Sequence, residues 1–321
     1  MSARPHRGRA AALAGLVCAA LATASSAVWA QACCAGTGAV TPARLALHED
    51  AAAGLQLRAA TVVGSHSASA EYVPAPPGAG EVDLEQSLYG AVRVLRRGQL
   101  GALLPLVQTF RTTPTRSEAG GGLGDINVSA RYDFLRARES ALVPGIAALA
   151  GVTLPTGRSA EAATKPFATD ATGLGAVQVT GGVALEQSVG SWLFGASALL
   201  ALRAPREVGA VTPVTLSLAP QYSALLSAAY AFDSGAAVAL STLFTFEGDA
   251  SVNGATARES ARRWIVASAS LAWPVTDQLS VLGSVSLNPP ISSLGMNQTT
   301  TLGATLGIRA TEKCGRRSAR L

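Results

Sequence analysis

The chain has 321 residues, of which 49% are hydrophobic and only 14% charged, with a formal net charge of +5. So low a charged fraction is unlike an ordinary soluble domain, yet past the N-terminal segment no apolar run reaches the ~18–20 residues of a spanning helix. Without the arginines of that segment, 22 basic residues face 20 acidic ones and four of the 22 (Lys313, Arg316, Arg317, Arg320) sit in the last nine positions, so no basic stripe interleaved with aromatics is left to bind nucleic acid.

Arg4, Arg7 and Arg9 followed by the Ala/Leu-rich stretch from Ala10 to Ala24 predict a signal peptide over 1–30. Cleavage is expected before Gln31 or, as late as residue 32, before Cys33. Export implies oxidising surroundings. Cys18 leaves with the signal, so Cys33, Cys34 and Cys314 are the disulfide candidates, with one bond expected between Cys33 or Cys34 and Cys314. Lipidation of Cys33 would want Leu three positions earlier, where Ala30 stands. A vicinal cysteine pair without neighbouring His or Asp does not make a metal site. Residues 31–53 show no clean period and read as an N-terminal arm, periplasmic or folded into the lumen.

From 54 to 311 one pattern recurs: about ten residues alternating large-apolar with small or polar, ended alternately by a short polar turn and a longer Gly/Pro/Thr-rich loop. The strands predicted are 54–64, 83–95, 99–111, 123–136, 143–155, 173–188, 191–204, 213–231, 236–248, 262–274, 279–288 and 300–311. Short links fall at 96–98, 138–140, 189–190, 233–235 and 276–278; long ones at 65–82, 112–122, 156–172, 205–212, 249–261 and 289–299. The expected fold is therefore all-β: a transmembrane antiparallel up-and-down barrel of about twelve strands in an outer membrane, with both termini periplasmic and a basic tail over 312–321.

Parity supports the barrel. Ile126, Val128, Ala130, Tyr132 and Phe134 share one face, and Asn127, Ser129, Arg131 and Asp133 the other. Val177, Val179, Val183 and Leu185 are likewise expected to face lipid, as are Val214, Leu216, Leu218 and Tyr222 and Leu279, Val281, Val285 and Leu287, with small polar neighbours such as Gln221, Ser223 and Ser284 lining a lumen. Leu103, Leu104 and Leu106 give no clean parity. Tyr132, Phe134, Trp192, Phe194, Tyr230, Phe232 and Trp273 near short turns, and Phe110, Phe244, Phe246 and Trp264 near long loops, suggest two interfacial girdles.

On the inward parity lie Arg58, Glu85, Arg93, Asp125, Arg131, Asp133, Glu186, Arg203, Glu247 and Arg309. A charge facing lipid at mid-depth costs ~2–4 kcal/mol, so each is expected in the lumen, bracing the wall as ion pairs or forming a constriction that selects solutes. Gly120-Gly121-Gly122-Leu123-Gly124 lacks the Lys-Ser/Thr of a phosphate loop and reads as a flexible loop entering a strand with Asp125 turned inward. Leu154-Pro155-Thr156-Gly157 reads as a strand stopping at proline. A barrel-embedded hydrolase would need His66 as base, oriented by a carboxylate such as Glu71. The reading is instead not an enzyme, with no cofactor.

Gly122-Leu123-Gly124-Asp125 opening a strand, then Pro144-Gly145-Ile146 and Leu154-Pro155-Thr156-Gly157 ending one, resemble the outer-membrane barrel family described as "Putative MetA-pathway of phenol degradation". The resemblance is sharp over about 120–160. It implies an outer-membrane channel for small, apolar or aromatic molecules, with membrane lipid, solutes and the outer-membrane assembly machinery as partners. A terminal aromatic assembly signal, common in such barrels, is absent from the tail. Other readings are a closed surface-display barrel whose loops bind a partner, and a secreted soluble β-sandwich.

Overall fold

The computed structural model describes residues 44–46, 48–137, 139–140, 142–209 and 212–313. Twelve antiparallel strands form one closed ring: β1 (Glu49–His66), β2 (Gly80–Leu95), β3 (Gly98–Thr113), β4 (in two parts, Arg116–Leu123 and Ile126–Leu135), β5 (Gly145–Leu154), β6 (Gln178–Val189), β7 (Trp192–Arg203), β8 (Gln221–Ala231), β9 (Ala237–Glu247), β10 (Arg262–Pro274), β11 (Leu279–Leu287) and β12 (Gln298–Lys313). Each strand pairs with the next, and β12 returns to β1 from Glu49↔Lys313 to His66↔Gln298. Closure is what this pattern requires, because hydrocarbon offers no partner for the backbone groups of a free edge.

The two faces differ as the alternation demands. Leu226, Leu240 and Leu306 are 63%, 67% and 63% exposed on the outside, whereas Ser87, Thr245, Ser280 and Thr300 are buried within. Directly paired residues share a face, so Ser241↔Ser268 meet across β9–β10 inside the barrel with their hydroxyls 2.7 Å apart. Outside, beside the short turns, Trp192 contacts Phe194 and Tyr230, and Tyr230 contacts Phe232, at ring separations of 6.0, 5.1 and 5.0 Å. Tyr132 and Phe134 form a similar pair at 5.2 Å. Trp264 departs from the expected girdle: it pairs with the buried, inward Thr245 and so faces the lumen.

Several boundaries differ from the sequence expectation. Residues 49–53, assigned to the arm, are already strand: 51–53 pair with both β2 and β12, and Glu49 with β12. The expected loop 112–122 is a ribbon that extends β3 and β4 to a tight turn at Pro114–Thr115. Glu81 braces it with two bonds from Arg111, 2.9 and 3.1 Å. Its glycines are there for close approach: a Cβ on Gly120 would lie 2.5 Å from Thr169, and Gly121 has φ +153° with the Val107 carbonyl 2.3 Å from its would-be Cβ. The expected strand 213–231 splits before Pro220. Its first part, Val214–Ser217, joins Arg206–Val208, Ser251–Val252 and Ala255–Thr256 in a small four-stranded sheet on the loop side. The link expected at 138–140 spans 136–144.

Candidate functional site

The lumen is built from the inward residues, and at its short-turn end the described residues 44–46 lie against the inner wall formed by β12 and β1–β3. Leu45 is buried there with Ala52, Tyr89 and Ala91, and Leu103 packs against them. This explains the ambiguous run on β3: Leu104 and Leu106 face lipid, while Leu103 turns inward because an apolar side chain awaits it. The backbone here is held by wall side chains. Gln99 accepts from Leu45 N at 3.0 Å, Arg93 donates to the Ala46 carbonyl at 2.6 Å, and Arg309 donates to the Arg44 carbonyl at 3.0 Å. Arg309 also makes two bonds to Glu49, at 3.0 and 2.6 Å.

The predicted charges fall into separate groups. At the short-turn end Arg131 bridges Asp133 (2.8 Å) and Glu186 (3.0 Å), and Glu186 also meets Arg44. Arg93 donates to the Glu49 carbonyl at 3.0 Å. At mid-depth Arg58 and Glu85, opposite each other in register, stand 3.5 Å apart and remain 39% and 27% exposed, open to the interior. At the loop end Arg203 reaches across β8 to Glu247 at 2.7 Å, and bonds Gln178 at 2.9 Å and Gln221. Sequence reading missed Arg44 and Glu49, which lay in the assumed arm, and Gln99 and Gln178, whose neutral amides carried no signal of pairing; Gln221 was expected in the lumen but not as a partner of Arg203.

Among the described residues Asp125 takes no part in a lumen ion pair. It sits at the break in β4, where its carboxylate accepts from Gly157 N at 2.9 Å and Leu174 N at 2.6 Å. It thereby pins the connection 155–177 against the inner side of the ribbon, with Gly173 packed so close that a Cβ would lie 2.2 Å from the Asp125 oxygen. Phe167 N and the Thr169 hydroxyl donate to Glu118 at 3.1 and 3.0 Å. Within the connection Asp170 accepts from the Thr164 amide and hydroxyl, from Arg158 and from Lys165 N; these bonds hold its carboxyl well below the usual range, Thr164 contributing most. Burial would raise Glu161, but its backbone hydrogen bond and Arg206, 2.9 Å away, lower it on balance.

The inner wall between the charged ends is apolar over one sector. Leu199, Leu225 and Leu243 share the inward parity of β7–β9 on the loop side of Glu186, beside Ser197 and Ser227; Leu149 stands opposite Arg131, and Leu193 lies nearer the short turn, packed on the alanine cluster that contains Ala229 and Ala237. The expectation of a lumen lined by small polar residues is therefore met only in part. His66 has Nε2 3.1 Å from the Ile291 carbonyl and Nδ1 3.2 Å from the Thr300 hydroxyl. Neither ring nitrogen has a carboxylate partner, so the orienting group expected of a hydrolase base is not in place among the described residues. Cys33, Cys34 and Cys314 lie outside the described residues, as do the signal segment and the tail from 314 onward.

A family model described as "Putative MetA-pathway of phenol degradation" matches residues 62–290. Among solved structures the barrel is similar to an outer membrane channel from Pseudomonas putida F1, with a TM-score of 0.69 at 12% identity, covering 84% of this chain and 97% of that one. Weaker likenesses include the NanC porin (TM-score 0.43, 11% identity, 80% and 99% covered) and the transport unit of the autotransporter AIDA-I from Escherichia coli (0.43, 11%, 86% and 96%). At 12% identity the first of these likenesses is one of fold. No curated protein matches the chain.

Proposed function

Because the chain belongs to the family described as "Putative MetA-pathway of phenol degradation" and folds as an outer-membrane barrel, we propose that it is an outer-membrane channel through which small apolar or aromatic molecules diffuse. The observation that carries this reading is the apolar sector of Leu149, Leu199, Leu225 and Leu243 inside a closed barrel. An apolar solute leaves water for such a wall at little cost, while a polar one must shed hydrogen bonds. Arg58 and Glu85 are the constriction candidates, since they stay half-open to the interior. Arg93, Arg131, Asp133, Glu186, Arg203, Glu247 and Arg309 brace the two ends, and Asp125 positions the loop-side connection. In this reading the signal segment directs export, both termini are periplasmic, lipid surrounds the outer face, and no covalent step or cofactor is involved.

Planar-bilayer conductance and liposome swelling with purified protein test the proposal. Flux of a small aromatic exceeding that of a sugar of similar size is expected. Absence of both conductance and flux would favour a surface-display barrel, a reading to which the ordered four-stranded sheet on the loop side lends support.

A further inference from the structure

Arginines collect at one sector of the short-turn rim. The links 96–97, between β2 and β3, and 136–144, between β4 and β5, carry arginine, whereas those at 190–191, 232–236 and 275–278 carry neither arginine nor lysine. The two arginine-bearing links are fastened to each other. Arg136 donates to the Arg96 carbonyl and Arg97 to the Phe134 carbonyl. Arg97 also donates to both oxygens of Glu139, at 3.2 and 3.3 Å. The exposed Arg96 has no acidic partner among the described residues, so this sector keeps an excess of positive charge. Beside it lies apolar surface. Leu95 and Phe134 are both 60% exposed, and Leu142, at 94%, is the most exposed large apolar side chain among the described residues. Phe134 and its neighbour Tyr132 face outward, and such rings settle at headgroup depth. An aromatic belt alone does not call for arginine: the larger group of Trp192, Phe194, Tyr230 and Phe232 is bordered by links that hold Asp233 and no cation.

We propose that this sector is a binding site for an anionic phospholipid of the phosphatidylglycerol type, with the phosphodiester on the arginine group and the acyl chains on Leu95, Phe134 and Leu142. A guanidinium matches a phosphate with two parallel hydrogen bonds, and basic clusters at bilayer depth select lipid headgroups. Arg97 and Arg136, engaged with carbonyls, fix the two links and add field; Arg96 supplies the fork that grips the phosphate. Glu139 is taken up by Arg97, and the described residues of the two links offer no second carboxylate for the ammonium of a zwitterionic headgroup. The leaflet, the periplasmic one, follows the orientation proposed above; the site itself needs a barrel in a bilayer and no channel.

The test uses the full mature protein, delipidated in detergent and titrated with short-chain phosphatidylglycerol or phosphatidylcholine, with bound lipid counted by native mass spectrometry. The wild type is expected to hold one phosphatidylglycerol roughly tenfold more tightly than phosphatidylcholine. Arg96→Gln should bring phosphatidylglycerol down to the phosphatidylcholine level. That variant removes no side-chain bond described in the fold, and heat-modifiable migration checks that the barrel is intact. Arg258→Gln, an exposed cation on the loop side, should leave the preference unchanged, and Leu142→Ser should weaken both lipids alike. Equal affinity for the two lipids in the wild type overturns the site. So does a preference that survives Arg96→Gln, or one that Arg258→Gln lowers as much. Displacement of phosphatidylglycerol by sn-glycerol 3-phosphate would also overturn it, assigning the arginines to a soluble phosphate ester.

Discussion

The Thr156 hydroxyl donates to the Gly124 carbonyl at 2.7 Å and accepts from Ile126 N at 3.0 Å. One side chain thus satisfies the backbone on both sides of the break in β4, where Pro105 on β3 has no amide hydrogen to offer and Gly124 N turns to the Pro105 carbonyl at 2.9 Å. Two sequence motifs thirty residues apart, Gly122-Leu123-Gly124-Asp125 and Leu154-Pro155-Thr156-Gly157, are therefore two halves of one joint. Replacing Thr156 by Val keeps the shape and orphans both groups, at a cost of about 1–3 kcal/mol. Urea unfolding from lipid vesicles should show that loss, and Thr156→Ser should recover most of it.

Asp125 holds the other half of the joint through Gly157 N and Leu174 N. Asp125→Ala should free the 155–177 connection while leaving the ring of strands closed. Trypsin should then cut after Arg158 roughly tenfold faster, with unchanged heat-modifiable migration.

Asp170 sets how that connection responds to acid. Its folded carboxyl lies below its ordinary value of 3.8, so the unfolded segment binds a proton first. Its stabilising contribution is complete above that ordinary value and is lost as pH falls below it toward the folded value. Hydrogen exchange of residues 158–170, corrected for the intrinsic rate, should stay flat from neutrality to about pH 5 and rise only below about pH 4. Asp170→Asn should exchange fast throughout and lose the acid step.

The Arg203–Glu247 pair is 4% and 5% exposed. Arg203→Ala strands a buried carboxylate and should destabilise the barrel by about 3–5 kcal/mol. The double variant with Glu247→Ala should recover part of that loss in the same unfolding assay.

Leu240 faces lipid, so Leu240→Arg should cost about 2–4 kcal/mol on folding into vesicles. Ser284→Arg, on the inward parity of β11, should cost less than Leu240→Arg because it can reach the water and carboxylates of the interior. Equal penalties would contradict the assignment of faces.

The amino-acid order by itself determined the alternation, and with it the ring: a period of two repeated along the chain, with turns between, leaves each strand one face for lipid and one for the interior, and open edges have no place in a membrane. Strand β10 is matched to the residue, Arg262–Pro274, and the ten predicted inward charges all lie on strands or at the β4 break. What only the tertiary structure decided is which of them meet. Arg203 and Glu247 are two strands apart, Arg44 and Glu186 stand on opposite walls, and Leu103 turns inward because Leu45 fills the space beside it. Local pattern reports the environment of a position, lipid or interior. It carries no information about which distant side chain shares that interior, since those neighbours are chosen by closure and register. The glycines of 120–122 show the same limit: they read as a loop, yet they are strand whose missing side chains leave room for a segment about fifty residues further along the chain.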